Sequence, residues 1–138
     1  MRRYFLAFLT LSFASLMAVS PVLLAHHSFS AEFDSRKPVT MQGYVTKIEW
    51  TNPHVWFYLS VKDAQTGKAA IWGFEMGPPH GLQGQGWQRE TMKLGDEVRV
   101  EGSLAKNGSN RVNARNVTLA KTGKKYGAAS SEGNPDTQ

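Results

Sequence analysis

Not one of the 138 residues is cysteine. That absence excludes disulfides, thiolate metal centres, iron–sulfur clusters, a cysteine nucleophile and a lipid-modified N-terminal cysteine together. The short patterns that carry catalysis elsewhere are missing too. There is no HExxH, no GxSxG, no Walker loop and no Gly-rich dinucleotide loop placed after a strand. Gly81-Leu82-Gln83-Gly84-Gln85-Gly86 repeats glycine without the required spacing. The carboxylates Glu32, Asp34, Glu49, Glu75 and Glu90 are scattered, so no catalytic residue emerges. Charge of one sign is also scarce: 16 basic against 11 acidic residues leave a net +5. A chain this short holds one domain and excludes an eight-stranded α/β barrel, which needs roughly 200 residues or more.

What is present begins with an address. Met1-Arg2-Arg3 is a short positive start, and Tyr4 to Val19 is apolar apart from Thr10, Ser12 and Ser15. Ser20-Pro21 breaks that run, and Val22-Leu23-Leu24-Ala25 leads to a small residue. A positive flank, a short apolar run and a small-residue exit describe a secretory signal peptide. Cleavage is expected after Ala25, with Ala18 as the other small exit, and a stable membrane span after processing is not. Arg2-Arg3-Tyr4-Phe5-Leu6 is also similar to a twin-arginine export core, although the preceding Ser or Thr is missing. Cleavage removes Arg2 and Arg3, lowering the net charge by two and weakening any case for a nucleic-acid partner. Export of a chain without cysteine points to the periplasm.

The remainder reads as all-β. Residues 26–38 are an N-terminal arm with Phe29 and Phe33 as its large apolar groups, and 39–121 are the domain. In Val39 to Trp50 the apolar parity flips from Val39, Met41, Gly43 and Val45 to Ile48 and Trp50, which predicts a bulge or bend near Gly43. His54 to Lys62 alternates cleanly, Val55, Phe57, Leu59 and Val61 against His54, Trp56, Tyr58 and Ser60. Asp63 to Gly67 closes a hairpin onto Lys68 to Met76. The glycines and prolines of 77–86 forbid a regular element, and a short helix at Trp87 to Met92 or an irregular loop links the third and fourth strands. Glu97 to Ala105 and Arg111 to Leu119 form a last hairpin around Asn107-Gly108. That order predicts a small five-stranded OB-like barrel, because closure protects the strand edges; an open sandwich or meander is the alternative. Residues 122–138 carry only Tyr126 as a bulky apolar group and are expected to be disordered.

Chemistry has two candidate places. Cleavage after Ala25 would give His26 a free α-amine, which chelates a metal together with the same residue's Nδ1. A further imidazole, His27 or His54, then suits Cu(II), so copper is the candidate metal and His26, His27 and His54 its candidate ligands. His80, between Pro79 and Gly81, is the least suited of the four histidines. Two histidines after a processing site can equally stand in solvent. The second place is the outward face of the second strand. There His54, Trp56 and Tyr58, with Trp50 nearby and Trp72 as a further ring, can stack a sugar, a nucleobase or a peptide. The same rings can instead form a small second core under the N-terminal arm or Pro78-Pro79.

Ala25-His26-His27-Ser28-Phe29, Glu32-Phe33-Asp34 and Val45-Thr46-Lys47-Ile48-Glu49-Trp50-Thr51-Asn52-Pro53-His54-Val55-Trp56 together resemble a family of small exported bacterial proteins classed only as a domain of unknown function. The likeness continues through Trp72-Gly73-Phe74-Glu75-Met76-Gly77, Gly86-Trp87 and Leu94-Gly95-Asp96-Glu97-Val98 to about Leu119. It implies export and a small β-barrel, and it supplies no activity. The expectation is an exported periplasmic binding module, without catalysis, for a metal ion or a small ligand. The rivals are an envelope stress-associated or protein-interaction module with no small ligand and, last, a metal-dependent redox enzyme.

Overall fold

The computed structural model describes residues 29–132, so the expected signal peptide and the pair His26 and His27 lie outside the described residues. A compact unit begins at Glu32. Its first strand, β1 (Phe33–Glu49), is longer than the sequence suggests and absorbs the second half of the expected arm. Phe33 is buried opposite Ala105, and the register slips between Phe33 and Pro38. Up to Tyr44 this strand pairs only with β4 (Glu97–Ala105), so Pro38, which lacks an N–H, is tolerated. From Tyr44 onward β1 pairs with β2 (Trp56–Lys62).

The predicted parity flip is real, but two residues share the task given to Gly43. A Cβ at Gly43 would overlap the Ser60 carbonyl oxygen, so glycine is needed where β2 first comes alongside. The extra residue is Thr46, between the pairs Val45–Leu59 and Lys47–Tyr58, and its hydroxyl donates to the Tyr58 carbonyl at 3.2 Å. The bulge lets both Val45 and Ile48 reach the core.

β2 and β3 (Ala69–Glu75) form a regular hairpin whose register puts Tyr58 opposite Gly73 and Phe57 opposite Phe74. Asp63 sets that turn by accepting from the N–H groups of Gln65 and Thr66. Phe57 and Phe74 stack at 5.1 Å inside the sheet. Each such ring, fully buried, stabilises the fold by about 1.5–3 kcal/mol. β4 and β5 (Arg111–Leu119) follow as the final hairpin, turned at Gly108 with φ 76°. β3 then pairs in parallel with β5 through Gly73–Arg111, Phe74–Val112 and Glu75–Asn113. The sheet thereby returns on itself through β1, β2, β3, β5 and β4.

Two expectations need correction. The short helix is α1 (Pro79–Gly84), not Trp87 to Met92. Proline at the first helical position has φ preset and no N–H to lose, and Gly86, with φ 87°, follows the helix rather than forbidding it. Leu82 and Trp87 anchor this segment in the core. The second correction is a sixth strand in the segment expected to be disordered. β6 (Lys125–Gly127) pairs with Asn116 to Thr118 of β5. Tyr126 lies 4.8 Å from the Trp87 ring, and Trp87 Nε1 donates to the Gly127 carbonyl at 2.7 Å. Ala128 is fully buried and bonds to both Gly77 and Arg115 through its backbone. Beyond the Tyr126 ring, small size suits this stretch to its place: a Cβ at Gly127 would overlap Gln85 Oε1, and the Ala129 carbonyl lies where a Cβ on Gly77 would be.

Candidate functional site

Alternation along β2 sends Phe57 and Leu59 inward and leaves Trp56 and Tyr58 on the outer face. Across from Tyr58 the hairpin offers Gly73, which has no side chain to cover the rings. The result is a groove of about 490 Å³ lined by Glu49, Trp56, Tyr58, Ile71, Gly73, Asn110 and Arg111. Ligand pockets typically measure about 300–1,000 Å³. Its floor comes from the hairpin, one rim from the end of β1 and the other from the start of β5.

Each ring is held by a cation. The Arg111 guanidinium lies 4.6 Å from the Trp56 ring, and Lys47 Nζ lies 5.1 Å from the Tyr58 ring. Lys47 also pairs with Glu49 at 2.7 Å, and the Tyr58 hydroxyl donates to Glu49 at 2.9 Å. These two donors, Lys47 first, hold the Glu49 carboxyl below its ordinary range. Burial, aided by the Glu49 carboxylate, pushes the Tyr58 phenol up. At neutral pH the rim therefore carries a carboxylate and a neutral phenol. Arg111 meets a looser partner, Glu32, at 3.9 Å. Asn110 bridges the rim to β3: its carbonyl accepts from Gly73 N–H at 2.9 Å, and its amide donates to the Ile71 carbonyl at 3.4 Å.

The expected site residues divide. Trp56 and Tyr58 share the groove. Trp50 does not line it, because the bulge at Thr46 puts Trp50 with Ile48 against the core. Trp72, opposite Leu59, likewise packs against the core. His54 sits beside the groove with Nδ1 against Oε1 of the buried Glu75. That contact orients the ring through Nδ1, so a further partner would meet Nε2. Among the described residues, no group of three or more His, Asp or Glu side chains could hold a metal ion. Among the described residues of the domain, neither 32–38 nor Pro78-Pro79 lines the groove. Sequence reasoning missed Gly73, Ile71, Asn110, Arg111 and the partnership of Glu75 with His54. The first two were within reach, since the Asp63 turn sets the hairpin register.

The DUF6152 family model matches residues 14–114. The chain belongs to this family of unknown function. Its matched span takes in every residue that lines the groove, along with His54 and Glu75. A search of the curated proteins gives no match. Among solved structures, one that is similar is the mitochondrial single-stranded DNA binding protein Rim1 of S. cerevisiae. Identity is 10%, the TM-score is 0.48, and the match covers 61% of this chain and 93% of that one. DUF6152 supplies a family and no activity, so function has to be argued from the groove. Among the described residues no helix is long and apolar enough to cross a membrane.

Proposed function

We propose that this protein is an exported periplasmic binding module, without catalysis, built on an OB-like barrel of β1 to β5. It takes a ring-bearing small ligand between Trp56, Tyr58 and Gly73. One observation carries the proposal: glycine stands opposite Tyr58, so two ordered rings line a groove open to solvent, with polar groups at both rims. A sheet face meant only as a second core would fill that position with a side chain. Indole is the simplest probe. Titrated into the isotope-labelled protein, it is expected to shift the Trp56 indole signal and the amides of Gly73 and Arg111. Shifts scattered elsewhere, or none, would sink the binding role and favour an interaction or stress-associated module. Export rests on the N-terminal sequence, and the exported chain is expected to begin at His26.

A second reading is favoured by the contact between Glu75 and His54. A carboxylate on one ring nitrogen orients the other as a metal ligand. His54 Nε2, with the amine and imidazole of His26 or with His27, would then make a Cu(II) site. Copper titration of the processed protein, repeated with one alanine added before His26, tests this directly. Equal affinity in both forms removes the amine from the ligand set.

A further inference from the structure

We infer that the natural ligand of the groove is a linear, uncharged oligosaccharide, an assignment that rests on the binding role proposed above. Three cross-strand rows run over the outer face of β1, β2 and β3: Glu49–Trp56–Glu75, Lys47–Tyr58–Gly73 and Tyr44–Ser60–Ile71. Same-face residues of a strand repeat about every 6.8 Å, so the rows extend over about 14 Å. That length suits a chain of rings better than a single ring. Tyr44 and Ile71 each expose more than half of their surface, and the small Ser60 lies between them. The apolar floor therefore continues past the groove.

Polarity separates the chain ligands from one another. The three rows and the rim carry Lys47 and Arg111 against Glu49 and Glu75. Each cation also faces a carboxylate, Lys47 that of Glu49 and Arg111 that of Glu32. Lys62 stands one row further along β2. A single strand of nucleic acid draws its affinity from cations that neutralise phosphates, and its phosphodiesters have no proton to donate to Glu49. An extended peptide docks on backbone groups. Those of β3 at the groove are occupied: Gly73 N–H donates to Asn110, and the Ile71 carbonyl accepts from it. A sugar hydroxyl both donates and accepts, matching a rim that offers the Glu49 carboxylate on one side and the Arg111 guanidinium on the other. The C–H face of a sugar ring fits the exposed surfaces of Trp56 and Tyr58, and the next ring reaches Tyr44.

Calorimetric and NMR titrations with cello-, chito- and malto-oligosaccharides, an oligothymidylate and indole decide the matter. At least one oligosaccharide is expected to bind, shifting Trp56, Tyr58 and Tyr44 together. Its affinity should change by no more than about twofold when salt is raised. Tyr44→Ala, at an exposed position, should weaken the oligosaccharide about tenfold, or about 1.4 kcal/mol, while leaving indole unaffected. Gly73→Ala should weaken both. The assignment is overturned if indole binds in the groove but no oligosaccharide does. It is overturned equally if the oligothymidylate binds with a steep loss of affinity at high salt. Failure of indole as well would remove the binding role itself.

Discussion

Gly73 stands directly across β2–β3 from Tyr58, and a Cβ built on Gly73 would lie 3.3 Å from Tyr58 Cε1. Both the Tyr58 and the Trp56 rings lie close over the bare Gly73 backbone, which lines the groove with them. Because the nearest atom belongs to a ring edge rather than to backbone, Gly73→Ala should fold normally. Its urea midpoint should correspond to a loss of under about 1.5 kcal/mol, while indole binding weakens. A protein that unfolds instead would assign Gly73 to the framework and not to the groove.

Gly102 provides the contrast. A Cβ there would overlap the Asn113 carbonyl oxygen and the Val112 side chain, at the register shift between Glu101 and Gly102. Backbone cannot swing aside, so Gly102→Ala should destabilise by about 1–3 kcal/mol or more. Gly84, at the end of α1, has nothing within 4 Å of the same added atom. Gly84→Ala should be neutral or stabilising by about 0.4–1 kcal/mol. Thermal melts of the two variants side by side check both signs.

The last strand also answers to truncation. Ending the chain after Gly123 removes the Tyr126 ring from Trp87, the Gly127 carbonyl from Trp87 Nε1 and the buried Ala128. An orphaned buried donor alone costs about 1–3 kcal/mol. Loss of stability should therefore exceed about 2 kcal/mol, accompanied by a red shift in tryptophan emission as Trp87 meets water. An unchanged melt would mean that β6 contributes nothing to the domain.

Acid should weaken the fold in a defined direction. Arg36 beside Asp34, Lys47 beside Glu49, the Thr66 N–H on Asp63, Lys121 beside Asp96 and Lys125 beside Glu101 each hold a carboxyl below its ordinary range. A group with a depressed folded pKa contributes stability that is complete above its unfolded pKa, about 4. That contribution is lost as pH falls through the folded value. Urea midpoints should be level from pH 7 to 5 and fall below pH 4. The cations Arg36, Lys47, Lys121 and Lys125 are exposed, so high salt should shrink the difference. A midpoint at pH 3 equal to that at pH 6 would refute this account.

The elements that announced themselves were those with a strict period. Phe57 and Leu59 on one side of β2, with Trp56 and Tyr58 on the other, could be assigned from alternation alone. The parity flip before Ile48 likewise located a bulge to within three residues, at Thr46 rather than Gly43. Two features escaped because composition points the wrong way. Gly127 to Ala129 offers little apolar bulk, yet smallness is what a segment crossing Gly77 and Gln85 requires. Pro79 and Gly84 look like breakers, yet they stand at the two ends of a helix, where such residues belong. Arg111 and Asn110 were out of reach for another reason. Their place at the groove follows from the parallel pairing of β3 with β5, a long-range contact with no local signature.

That pairing consists of three rungs, and the first is Gly73–Arg111. One end of the seam that keeps the ring of strands shut is thus also the wall of the cleft: Arg111 leans on Trp56 while its backbone zips against Gly73. A guest seated in the groove against Trp56, Gly73 and Arg111 should brace that seam from one side. Slower deuterium uptake at Gly73 and Phe74 on adding a ligand would be the signature of that bracing.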